Sequence, residues 1–151
     1  KTLQERETGL EEIRKDLEKL RKEQEEILEK RAKMKKEDAR DHLLKMIEKD
    51  FGSLDAWKAD MVATGICARG WAILAFDYRD NRLHNYGSDA HNVGAVWGAI
   101  PIIVLDVYEH AYFMDYGVNR KDYLDAFFKN LDWDFANDIV RRHGLAEKHS
   151  D

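Results

Sequence analysis

Residues 106–113 read "DVYEHAYF" and follow directly on the apolar run "IPIIVL" of residues 100–105. The run reads as a short buried strand, with Pro101 near its start, where proline is tolerated. Asp106 and His110 then stand four positions apart. A carboxylate behind an apolar strand is costly to bury unless it is paired or bound to a metal. If a helix starts after it, His110 projects back toward the strand end within one turn. One carboxylate and one imidazole converging in this way suit Fe, Mn or Zn. On spacing alone, the plainer reading is a helix N-cap at Asp106 and a hydrogen-bonded core histidine at His110.

Outward from this stretch, "GWAILAFDY" (residues 70–78) is rich in aliphatic and aromatic residues. With the turn residues Asp80 and Asn81 and the following "RLHNY", it predicts a β-hairpin. In "FGSLDAWKADM", Gly52 ends one helix and Ser53 is an N-cap for the next. "VYEHAYFMDY" predicts a helix ending at Gly117, and "RKDYLDAFFKNL" and "DFANDIVRRH" predict two more. The expected fold class for residues 42–151 is α+β, a small antiparallel sheet surrounded by helices.

Residues 1–41 differ in kind, holding charged and aliphatic residues and no aromatic side chain. Leu3, Leu10 and Leu17 fall on one heptad position, and Ile13, Leu20, Ile27 and Met34 on the other. This predicts a long charged helix with one apolar seam, which needs a partner helix to be stable. Residues 3–34 could pair within the domain or form a coiled coil with another chain. The whole chain carries 25 basic and 30 acidic residues, a net charge of −5, which argues against a nucleic-acid partner. No apolar stretch is long enough for a membrane-spanning helix, and none reads as a signal peptide, so the expected location is the cytoplasm or an organelle matrix. The one cysteine, Cys67, allows no intrachain disulfide and reads as a buried small hydrophobe.

"DVYEHAYF" resembles a hallmark of the iron/manganese superoxide dismutase family. "FGSLDAWKADM", "ARGWAILAFD" and "GVNRKDYLDAFFKNLDW" resemble further segments of that family in the same order. The likeness covers roughly residues 51–140 and implies the family's C-terminal α/β domain. It implies Asp106 and His110 as two ligands of one Fe or Mn ion. It implies that Glu109 reaches across a homodimer to the partner's ligand histidine. Tyr112 would lie at that interface and help line the substrate entrance. Arg120 would attract the superoxide anion. Trp71 and Trp133 would belong to the apolar shell, and His91 would hydrogen-bond the solvent on the metal.

The chain also departs from that pattern. The family takes two further histidine ligands from an N-terminal helical hairpin, yet residues 1–41 contain no histidine. His42 comes too close to Phe51 and reads as a surface residue. Tyr108 stands where the family carries tryptophan or phenylalanine, and Lys121 where it carries proline. His84 reads as a strand-surface residue, His143 and His149 as exposed, and Asp89 as a turn residue. Three functions fit these features. One is superoxide dismutation, with the missing ligands supplied from elsewhere or by a rearranged site using His42. Another is a structural or assembly protein built on the coiled-coil helix. The third is a module that binds a metal or small anion at the open pocket.

Overall fold

A computed structural model describes residues 17–24, 42–94 and 96–149. The chain divides into two units, Lys1–Asp38 and Ala39–Asp151. Within the first unit, residues 17–24 are helical, with Leu17 and Leu20 exposed. The remainder of the helix expected over residues 1–41 lies outside the described residues.

The second unit opens with helix α1 (residues 42–51), which buries Leu43, Met46 and Ile47 at helical spacing. Gly52 ends it with a positive φ of 84°, a conformation open to glycine at little strain. Ser53 then caps α2 (Leu54–Cys67), its hydroxyl accepting from the Ala56 amide at 3.0 Å. Helix α2 buries Trp57, Met61 and Gly65, one residue per turn. A side chain at Gly65 would meet Leu124 at 3.2 Å, so this glycine sets how closely α2 approaches α4 (Arg120–Lys129).

Strands β1 (Trp71–Asp77), β2 (Arg82–Ser88) and β3 (Ala99–Asp106) form an antiparallel sheet in the order β2-β1-β3. The predicted hairpin is β1–β2, turning at Asn81 with a positive φ of 57°. Ala72, Leu74 and Phe76 of β1 point into the core beside Leu83, Ile103 and Leu105 of the neighbouring strands. Pro101 lies at a register shift between β1 and β3, where the ladder spares its missing N–H. Helix α2 covers the core face of β1 and β2, while α5 (Trp133–Arg142) packs on β3. Asn137 of α5 is buried but satisfied, accepting from the Leu43 amide at 3.1 Å and donating to the Trp133 carbonyl at 2.8 Å.

Three expectations need correction. The helix expected across residues 107–116 is instead a 3₁₀ turn, Glu109–Ala111, followed by one α-turn, α3 (Phe113–Tyr116). The Asp106 carboxylate competes for the amide of Tyr108, so the chain turns before a helix can start. Cys67 is exposed, because it falls at the end of α2 away from the buried stripe. The side chain of His149 is buried, only 6% of it accessible: the last helix, α6 (Leu145–Lys148), returns it to Asp50 at the end of α1, where Nε2 lies 2.7 Å from the carboxylate.

Candidate metal centre

The ladder places Asp106 opposite Trp71, at the end of β3 and the start of β1. Cross-strand partners share a face, so both side chains leave the sheet on the side away from the core. Oδ1 of Asp106 then accepts the Tyr108 amide at 3.0 Å, an Asx turn that stops the strand. The 3₁₀ turn carries His110 back, and its Nε2 lies 3.1 Å from Oδ2 of Asp106. A carboxylate oxygen and an imidazole nitrogen thus meet beside the sheet end. His110 keeps 69% of its side chain accessible and Asp106 26%, so the pair is open on one side.

Tyr123 of α4 donates its hydroxyl to the Asp106 carbonyl at 2.9 Å and fixes the backbone beneath the carboxylate. Burial, and then the negative charge of Asp106, push the Tyr123 hydroxyl above the usual phenol range, which keeps it a donor. Neither this bond nor its partner carries a signal in sequence, since seventeen residues separate the two.

His91 reaches the same place from β2. Ser88 pairs with Trp71 across the hairpin, and its hydroxyl bonds the Ala90 carbonyl at 2.8 Å and also that of Val93. The loop therefore folds back over Trp71, whose Nε1–H donates to Nδ1 of His91 at 3.2 Å. Indole nitrogen can only donate, so Nδ1 is the acceptor and neutral His91 carries its proton on Nε2. Asp89 is a turn residue that also accepts from the Arg69 amide at 3.1 Å.

Arg120 of α4 meets Tyr112. Its Nε donates to the Tyr112 hydroxyl at 3.1 Å, and its terminal nitrogen donates to the carbonyls of Gly65, Ile66 and Ala68 at 3.2, 3.2 and 2.8 Å. The cation thereby closes the negative end of α2. Arg120, buried Tyr112 and exposed Glu109 line one shallow depression with Ile66, Val118 and Asn119. Trp133 stands apart, its ring 5.9 Å from Trp57 in the core cluster.

The donor set of Asp106 and His110 fits Fe or Mn, which accept oxygen and nitrogen ligands together. Two donors do not complete a site: among the described residues no group of three or more His, Cys, Asp or Glu side chains is placed to hold a metal. His42 is exposed on α1, His84 pairs with Asp80 at 2.7 Å, and His143 is exposed. No helix of the described residues is long and apolar enough to cross a membrane.

Comparison with known proteins agrees with the geometry. Residues 39–139 match the family model described as iron/manganese superoxide dismutases, C-terminal domain. A protein of Aquifex aeolicus named superoxide dismutase [Fe] is 50% identical over 103 residues, covering 68% of this chain and 48% of the relative. One of Haloarcula marismortui named superoxide dismutase [Mn] is 49% identical over 94 residues, covering 62% of this chain and 46% of the relative. The chain spans about half the length of these curated relatives. The converging Asp106 and His110, the sheet that presents them and the match over residues 39–139 agree, and the chain belongs to the iron/manganese superoxide dismutase family.

Proposed function

We propose that this chain supplies the carboxyl-side half of a mononuclear Fe or Mn centre that dismutes superoxide to oxygen and hydrogen peroxide. The observation that carries the reading is the 3.1 Å approach of His110 Nε2 to Asp106 Oδ2, beside a His91 already oriented by Trp71. Asp106 and His110 would hold the ion, with two further ligands supplied from outside these 151 residues. When bound, Fe or Mn supplies one-electron chemistry, taking an electron from one superoxide and giving one to the next.

The chain's own residues then have separate tasks. Tyr123 and the Tyr108 amide hold Asp106 in place. His91, with its proton on Nε2, is a hydrogen-bond donor for solvent at the centre and helps set its potential. Arg120 and Lys121 place two positive charges on the depression against the one negative charge of Glu109, a balance that favours a small anion. Trp71 shields the sheet end, and Trp133 supports it at one remove through the core. Glu109, His110 and Tyr112 are the contacts of a homodimer, in which Glu109 meets the partner's ligand histidine. Residues 3–34 offer a seam for a helix partner.

Metal analysis of the protein that contains this chain tests the reading. Close to one Fe or Mn per chain is expected, with loss on Asp106→Ala and on His110→Ala. Wild-type protein without either metal overturns it.

A further inference from the structure

Tyr108 meets Asp106, His110, His91 and Trp71 in turn. Its amide donates to Asp106 Oδ1 at 3.0 Å. Its ring stacks on His110, with centroids 5.5 Å apart and planes 14° from parallel. The same ring lies 5.3 Å from His91 and 6.2 Å, edge-on, from Trp71. Its hydroxyl crosses to the loop after β2 and donates to the Asp89 carbonyl at 3.2 Å. The fold leaves room for this ring: a side chain on Gly70 would meet its Cε2 and Cζ at 3.0 Å.

We infer that Tyr108 is a positioning residue whose hydroxyl, by holding the Asp89 carbonyl, fixes His91 relative to the Asp106–His110 pair. The inference rests on reading that pair as metal ligands. The loop is short: Asp89 is two residues from His91, so anchoring one carbonyl restricts the imidazole. A tryptophan or phenylalanine at position 108 could fill the same space, but phenylalanine has no donor and the indole N–H lies elsewhere on the ring. The hydroxyl therefore does in this chain what a bulky ring alone does not. Without it the loop relaxes, the 3.2 Å bond from Trp71 to His91 weakens, and His91 samples both neutral tautomers.

The test uses the full chain without metal, labelled with ¹⁵N-histidine, at an alkaline pH where imidazoles are neutral. Wild-type His91 should show predominantly the tautomer protonated on Nε2. Tyr108→Phe should lower the ratio of the two tautomers about five-fold, the equivalent of one net hydrogen bond. Trp71→Phe, which removes the bond to Nδ1 outright, shows the size of the full effect. A ratio unchanged in Tyr108→Phe while Trp71→Phe shifts it overturns the inference, because a merely space-filling ring predicts that result. If Tyr108→Phe does not fold, Tyr108→Trp gives the same comparison, and an unchanged ratio there overturns it equally. The sample carries no metal, so failure here counts against Tyr108 alone and leaves the metal assignment to the metal analysis.

Discussion

Trp71 Nε1–H donates to Nδ1 of His91 at 3.2 Å, and the ladder sets Trp71 directly opposite Asp106. One residue thus joins the strand end that carries Asp106 to the loop that carries His91. Trp71→Phe should keep the sheet but free Nδ1, so that in the metal-loaded protein the midpoint potential moves. A potential unchanged from wild type would show that His91 needs no support from Trp71.

The Arg120 guanidinium bonds three carbonyls at the end of α2 and the Tyr112 hydroxyl. Removing it leaves those carbonyls without their donor. Arg120→Ala should lower stability in urea unfolding by roughly 2 kcal/mol, the range for charged hydrogen bonds. Arg120→Lys should recover only part, since an ammonium lacks the planar fork. Full recovery by lysine would mean that charge alone matters at this end.

Asp50 and His149 are bonded at 2.7 Å across 99 residues of chain, both nearly inaccessible. The other Asp50 oxygen, Oδ1, has no hydrogen bond, and Arg82 Nε lies 3.7 Å from it. His149→Ala should destabilise the domain by about 1–3 kcal/mol, because a buried carboxylate loses a partner. The Leu83 amide also donates to Asp50 Oδ2 at 2.7 Å, and equal denaturation midpoints would show that this bond and Arg82 hold Asp50 without His149.

Asp77 closes the hairpin, its carboxylate taking hydrogen bonds from the Arg79 guanidinium and from the Tyr86 hydroxyl at 2.6 Å. The Arg79 bonds, then the Tyr86 bond, hold its pKa far below the ordinary carboxylate range. A depressed carboxylate stabilises the fold above its unfolded pKa, about 4, and loses that contribution as pH falls toward the folded value. Asp77→Asn should therefore melt below wild type at pH 7, with the gap narrowing as pH drops below about 4. A gap independent of pH would show that the charge on Asp77 contributes nothing.

Short-range patterns carried much of this fold. The hairpin, the strand before Asp106 and the cap at Ser53 depend on neighbours in sequence, where turn chemistry and periodicity act. The pairing of Asp106 with His110 was legible for the same reason, since four residues on one turn converge in almost any tight geometry. What lay beyond reach were bonds between distant segments. Nothing near Arg120 announces that its partners are the carbonyls of residues 65–68, and nothing in the polar stretch around His149 points to Asp50. The break in the helix after Asp106 was a competition between two local rules, a capping carboxylate and a helical pattern, and the carboxylate won. Tyr108 was visible as a departure from the family pattern, but its meaning depends on the loop that its hydroxyl reaches.

In the proposed function, Asp106 and His110 are ligands of a working superoxide dismutase centre. Its most direct measurement is the dismutase activity of the metal-loaded protein containing this chain, compared with its Asp106→Ala variant at matched protein concentration. The wild type loaded with Fe or Mn should be active, and the activity should fall at least a hundred-fold (~2.7 kcal/mol of barrier) in the variant. Activity that survives Asp106→Ala, or a metal-loaded wild type without activity, would contradict that function.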